Sequence, residues 1–264
     1  MKKFITICVP TFNSQKYLNE CLESISSNTN NFEYINQIYF CDNCSTDNTL
    51  RIIDSFINSN NIGKIISYKD YGQSDAINKA IIITNSQYFM WLNSDDILHS
   101  DFFVNVYKVI KNKPNYEYFT ISADILHIDS TSNFIYRGPC MNDTKFAVNN
   151  GIWFGSFPCR IFLTKILKNN LLSNKYIYAM DFELIYRISN IDLPNNIIFS
   201  ININKFLGFF RHHNDSKTTS GKYLDEIKKE SDSIIIKNTR LSIILRCLNI
   251  YYLYKRFFKP YKIK

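Results

Sequence analysis

Two adjacent carboxylates, Asp95 and Asp96, follow the apolar run Tyr88 to Leu92, with Asn93 and Ser94 between. Acids at the end of a strand offer hard oxygen donors, the kind that hold Mg2+ or Mn2+ through one or two carboxylates plus phosphate oxygens. The same residues suit the cap of a helix starting near Ile97, and the run alone leaves both readings open. Asp181 and Glu183 stand two apart in a segment of helical periodicity from Met180 to Asn190. Positions two apart face different sides of a helix, and Glu183 has Arg187 four residues on, the spacing of a surface ion pair. Asp181 has apolar Ile185 at that position and is left for a cleft, or for the helix dipole as a first-turn acid. Arg211, His212 and His213 form a third group. A guanidinium suits a phosphate, and of two neighbouring histidines on an extended chain only one faces a given cleft.

These groups need a scaffold that brings them together. Over the first hundred residues short apolar runs alternate with amphipathic ones, the signature of βαβ units around a mostly parallel sheet. Strands are expected at Phe4 to Val9, Gln37 to Cys41, Ile65 to Tyr68 and Tyr88 to Leu92, and helices at Gln15 to Ser26, Asp47 to Asn58 and Ser74 to Thr84. A polar cluster follows each strand: Pro10 to Asn13, Asp42 to Asp47, Lys69 to Asp75 and Asn93 to Asp96. In an open α/β sheet such clusters gather at the carboxyl ends of the strands, where ligands bind. Beyond residue 100 the pattern loosens into a helix at Asp101 to Lys111, strands near Tyr118 to Ala123 and Asn133 to Arg137, and the segment carrying Asp181.

Composition narrows the classes. The 264 residues are 45% hydrophobic and 20% charged, enough apolar surface for a real core, so a disordered or purely coiled-coil chain is excluded. No run reaches the roughly 18 uncharged apolar residues of a bilayer span, and Pro10 interrupts any signal-peptide core. A cytoplasmic protein is therefore expected. Seven scattered cysteines make no disulfide framework, and Cys41 with Cys44 lacks the second pair of a zinc site. The formal charge is +8, and eight basic residues with no acid lie between Lys237 and Lys264, so the body is neutral and the tail carries the excess. The pattern of an RNA-recognition module is not seen, and no nucleic-acid partner is expected.

The segments VPTFN at 9–13, CDNCSTDNT at 41–49, YGQSDAINKA at 71–80, WLNSDD at 91–96, AMDFEL at 179–184 and RHHNDS at 211–216 together resemble the family 2 glycosyltransferases in order and spacing. GQSDAIN followed by WLNSDD is similar to a bacterial branch that builds surface polysaccharides. The resemblance implies a GT-A fold: a Rossmann-like, mostly parallel central sheet with a smaller acceptor-side region. It divides the chain into a nucleotide-sugar-binding half at 1–100, an acceptor and catalytic-base half of the same domain at 101–218, and a helical basic tail at 219–264.

The resemblance also implies roles. Pro10, Thr11, Asn13, Asp42 and Asn43 would hold the base and ribose of the donor, with Gly72, Asp75, Asn93, Ser94 and Arg211 completing the donor site. The family's second loop commonly reads Asp-Asp-Gly-Ser, where this chain has Asp42-Asn43-Cys44-Ser45, and the first acid of its Asp-x-Asp motif is Asn93 here. Asp95 would be the first ligand of Mn2+ or Mg2+, with Asp96 the second and His213 beside them. Asp181 would be the base of an inverting transfer of a hexose or N-acetylhexosamine, from a nucleotide sugar, by preference a UDP-sugar, to a lipid-diphosphate-linked saccharide. A nucleotidylyltransferase is disfavoured because VPTFNSQKY contains no glycine. A degenerate domain that binds nucleotide sugar without catalysis draws its support from Asn43 and Asn93. The apolar run from Leu241 with its flanking basic residues suits an interfacial helix on anionic lipid, which would place the protein at the inner face of the cell membrane. The bland reading of that run is a terminal helix docked on its own domain.

Overall fold

The computed structural model describes residues 3–27, 32–112, 115–138, 143–149 and 158–235. Cys140, Cys247 and the apolar and basic run after Leu241 lie outside the described residues. The first half runs β1 (Ile5–Thr11), α1 (Leu18–Ser26), β2 (Ile35–Asp42), α2 (Thr49–Asn60), β3 (Lys64–Ser67), α3 (Gln73–Ile83) and β4 (Tyr88–Trp91). The second half runs β5 (Ile97–Leu98), α4 (Phe102–Asn112), β6 (Glu117–Ile128), β7 (Phe134–Gly138), α5 (Lys145–Asn149), β8 (Arg160–Leu163) and α6 (Thr164–Lys168), then α7 (Met180–Ser189), β9 (Ile197–Arg211) and α8 (Leu224–Ile234).

The nine strands of the described residues join one sheet in the order β3-β2-β1-β4-β8-β6-β9-β5, with β7 paired to β6. β3, β2, β1 and β4 are mutually parallel. β8 runs antiparallel to both β4 and β6, while β6 and β9 pair in parallel along most of their length. The chain leaves β1 toward β2 on one side and returns to β4 on the other, so the strand order reverses between β1 and β4. That switch point opens a crevice at the strands' carboxyl ends.

Burial explains the local choices. β4 is buried at every position, and β1 is buried at all but Pro10, as expected for strands covered on both faces. In α1, Leu18, Cys21, Leu22 and Ile25 are buried at helical spacing. α1 starts three residues later than the expected Gln15. The backbone N–H of Ser14 donates to Thr49 Oγ1 at 2.7 Å and that of Gln15 to Asp47 Oδ2 at 3.2 Å, which ties this stretch to the start of α2.

Besides the two-residue β5, which stands where the sequence offered a helix start near Ile97, two long-range strands were not expected from the sequence. β8 begins with Arg160, a fully buried cation paired with Asp143 and donating to Thr120 Oγ1 at 3.2 Å. β9 extends for 15 residues through Asn202, Asn204 and Lys205, where Asn204 adopts a left-handed φ of 57° and the pairing to β6 shifts register. Both interrupt the apolar pattern that marks a strand. The five described cysteines are free thiols, with Cys41 buried in β2 and its Sγ 3.6 Å from Cys8 Sγ. Among the described residues no helix is long and apolar enough to cross a membrane.

Candidate active site

A cavity of about 600 Å³ opens at the carboxyl ends of β1, β2 and β4. Of the residues expected at a site, Pro10, Thr11, Asn13, Asn43, Gly72, Asn93, Ser94, Asp95, Asp181 and His213 line it. Asp42, Asp75, Asp96 and Arg211 do not, and each has a physical reason for its position.

Asp42 is 1% exposed and works as a brace. Its carboxylate accepts from Thr11 Oγ1 at 3.0 Å, from the Ser45 N–H at 2.8 Å and from Ser45 Oγ at 2.5 Å. The β1 and β2 loops are thereby fixed to each other. Asn13 extends the tie, accepting from the Thr46 N–H at 2.9 Å with its own φ at 48°. Asn43, where the family pattern has an acid, accepts from the Asp70 N–H at 2.9 Å, a task that its amide carbonyl performs as well as a carboxylate. Gly72 enters α3 with φ 114°, a conformation that side chains rarely adopt. Asp75 stands in the first turn of α3, accepting from the Tyr71 N–H at 3.2 Å and pairing with Lys79 at 3.2 Å.

The two neighbouring acids divide inward and outward. Asp95 lines the cavity with its Oδ2 2.8 Å from His213 Nε2. Asp96 is 1% exposed, accepting the Arg211 backbone N–H at 3.0 Å and Asn93 Nδ2 at 3.3 Å. Burial pushes the Asp96 carboxyl well above the usual range, and the charge of Asp95 adds to the effect. An acid in place of Asn93 would set another negative charge against Asp96 where the amide now donates. The short β5–β9 pairing, Ile97 with Phe209, brings these loops together.

Arg211 is also 1% exposed, and its guanidinium is committed inside the protein. It donates to the Asp95 carbonyl at 2.9 Å, Ser132 Oγ at 2.8 Å and Glu20 Oε2 at 2.8 Å, and it sits 4.7 Å from the Tyr17 ring centroid. The expected phosphate contact is thus replaced by a latch joining α1, the β4–β5 loop and the β6–β7 turn. Burial opposes ionisation of Glu20, but hydrogen bonds from Ser132 and Arg211 outweigh it and hold its carboxyl below the usual range. His212 points away from His213 and pairs with His127, ring nitrogens 2.7 Å apart, so that only His213 reaches the cavity.

Asp95 and His213 offer one hard oxygen and one imidazole nitrogen on the same wall. That donor set fits Mg2+ or Mn2+ completed by phosphate oxygens and water, the way such ions are commonly bound. Among the described residues no group of three or more His, Cys, Asp or Glu side chains forms a protein-only cage.

Asp181 lies at the start of α7 on the cavity wall. Burial pushes its carboxyl up to about 6, against hydrogen bonds from the backbone, including the Phe182 N–H at 2.8 Å, and the charge of Arg160. Glu183 turns away and binds Arg187 with both oxygens, at 2.8 and 3.1 Å, as the four-residue spacing indicates. Lining residues not foreseen include Asp70, Gln73, Tyr178 and Lys217. Lys217 Nζ donates to Gln73 Oε1 at 3.3 Å and Gln73 Nε2 to Asn93 Oδ1 at 2.8 Å, so a chain of hydrogen bonds runs from the last loop to the β4 loop. Gln73 lies within the segment YGQSDAINKA and Lys217 directly follows RHHNDS, so both stand in or beside segments that carry the resemblance.

The architecture is that of the GT-A fold, with a cavity at the sheet's switch point. The sequence model of glycosyl transferase family 2 matches residues 6–171, and the chain belongs to that family. Glycosyltransferase GlyG of Streptococcus pneumoniae serotype 4 is 31% identical over 114 residues, covering 43% of this chain and 37% of that protein. Chondroitin synthase of Escherichia coli is 34% identical over 98 residues, covering 37% of this chain and 14% of that one. The chain therefore spans well under half the length of these relatives. The structure of S. aureus TarS 1–349 in complex with UDP-GlcNAc superposes with a TM-score of 0.65 at 18% identity, covering 90% of this chain and 67% of that one. Mannosyltransferase PcManGT from Pyrobaculum calidifontis, in complex with GDP-Man and Mn2+, gives a TM-score of 0.53 at 15% identity, covering 75% of this chain and 56% of that one.

Proposed function

We propose that this chain is an inverting glycosyltransferase. It moves a hexose or N-acetylhexosamine from a nucleotide sugar, a UDP-sugar by preference, to a lipid-diphosphate-linked saccharide during surface polysaccharide synthesis. The observation that carries this reading is one cavity shared by Asp95 and His213, the loops at Pro10 to Asn13 and Asn43, and a carboxylate raised by burial, Asp181. The UDP-GlcNAc complex of the S. aureus neighbour supports the donor class.

In this reading the nucleoside lies against the loops after β1 and β2, and Asn93 meets the ribose. Asp95 and His213 would hold Mg2+ or Mn2+, which when bound neutralises charge on the diphosphate as it leaves. Lys217 adds a cation at the same mouth. Asp181 accepts the proton of the acceptor hydroxyl as its oxygen bonds to the anomeric carbon and the opposite bond to the diphosphate breaks. A panel of nucleotide sugars with Mn2+ tests this directly. Hydrolysis or transfer of at least one UDP-sugar is expected. Tight binding of a nucleotide sugar with no turnover of any donor would favour the non-catalytic reading.

The lipid-linked acceptor motivates a place at the inner face of the membrane, with the basic residues between Lys237 and Lys264 as the contact. At roughly 1 kcal/mol per basic residue near an anionic surface, the tail suffices for reversible attachment. A chain ending at Ile236 is expected to lose co-sedimentation with anionic vesicles, and added salt to weaken that of the full chain. Equal sedimentation of both forms would remove the tail from this role.

A further inference from the structure

α8 lies outside the matched family region, yet it reaches the segment that carries Asp181. Glu230, on this helix, accepts three consecutive backbone N–H groups: Ile177 at 3.0 Å through Oε1, and Tyr178 at 2.8 Å and Ala179 at 2.9 Å through Oε2. Ala179 is the N-cap residue of α7 and supplies no side-chain cap itself. A carboxylate from another helix thus holds the three N–H groups that lead into α7, ahead of the helix's own first-turn donors. Its charge is favourable beside a helix N-terminus, and charge-assisted bonds of this type are about twice as strong as neutral ones. A second hold lies close by, where the rings of Tyr178 and Tyr223 stack with centroids 5.1 Å apart.

We propose that Glu230 is a positioning residue for the reaction: it fixes the backbone of residues 177–179 and thereby the approach of Asp181 to the acceptor hydroxyl. This rests on the reading of Asp181 as the base. Ile177, Tyr178 and Asp181 line the cavity, whereas Glu230 does not face it. The arrangement sets two tolerances at once. It limits the travel of the carboxylate, where misplacement by about 1 Å can cost some 10²-fold in rate. It also keeps the wall closed, and burial is what raises the Asp181 carboxyl.

The test compares Glu230→Gln, Glu230→Ala and the exposed control Lys229→Gln with the native chain, using the UDP-sugar turned over in the panel. A glutamine accepts through only one of its two end atoms, so Glu230→Gln unpairs at least one N–H while conserving shape. Amide hydrogen exchange at 177–179 is expected to quicken about tenfold or more in both Glu230 variants, and kcat to fall about tenfold with KM within about twofold. The acidic limb of kcat/KM, expected near 6 from Asp181 in the free enzyme, should move to lower pH as water reaches the carboxylate. Arg160, the charge acting on Asp181, is untouched by these changes. Lys229→Gln should match the native chain in every respect. Native exchange at 177–179, or native kcat and pH limb despite fast exchange, would overturn the proposal. An active Asp181→Asn enzyme would overturn the base reading and this proposal with it, whereas an inactive one beside indifferent Glu230 variants overturns this proposal alone.

Discussion

Replacing Asp181 by Asn is expected to lower kcat by at least ~10²-fold while leaving nucleotide binding close to native, the loss typical of removing a general base. The amide matches the carboxylate in shape, so the cavity wall is preserved and only the ability to take a proton is lost. The environment makes Asp181 suited to that task, because burial raises its carboxyl to about 6 and a base poised close to the working pH transfers protons efficiently. Glu183→Gln provides the contrast. It takes the charge from a bidentate pair with Arg187 that faces away from the cavity, and kcat should stay within about twofold. Steady-state kinetics with a donor-binding measurement checks both, and a larger kinetic loss at Glu183 would reverse the assignment.

Replacing Asp95 by Ala is expected to reduce turnover by 10²-fold or more, the order seen when a group that stabilises developing charge is removed. The fold should survive, since Asp95 sits at the cavity rim and its described side-chain partner is His213, whereas the neighbouring Asp96 and Arg211 carry the buried connections. Excess chelator should reproduce the loss in the native chain, and added Mn2+ should restore it. Full transfer activity in chelator would remove the metal from the account. Unfolding of Asp95→Ala, read by circular dichroism, would show that the residue acts through structure.

The site was legible where chemistry followed a local pattern. The apolar runs of β1, β2 and β4 each end in a polar cluster, and the reversal of strand order gathers those clusters. Asp181 could be separated from Glu183 by one helical spacing, and the Glu183–Arg187 pair is present as that spacing requires. The orientation of Asp95 relative to Asp96 was not legible, because two adjacent acids are chemically alike until the β5–β9 pairing turns one of them inward. Arg211 has the chemistry of a phosphate binder, but its real partners, Glu20 and Ser132, lie far away in sequence. β8 and β9 escaped for the related reason that Arg160, Asn202 and Lys205 break the apolar pattern and find partners across the fold, in Thr120, Ser122 and Asn105. Glu230 gave no signal at all, because a side chain that holds a backbone segment from another helix has no fixed spacing to it.

The pH dependence of kcat/KM, measured for the native chain and for Asp181→Asn with one turned-over UDP-sugar, bears most directly on the claim that this family 2 chain transfers sugar with Asp181 as its base. The base must be unprotonated to act, so native activity should fall as pH drops through about 6. The residual activity of Asp181→Asn should lack that limb. A native profile flat across pH 5–7, or the same limb persisting in Asp181→Asn, would contradict the account.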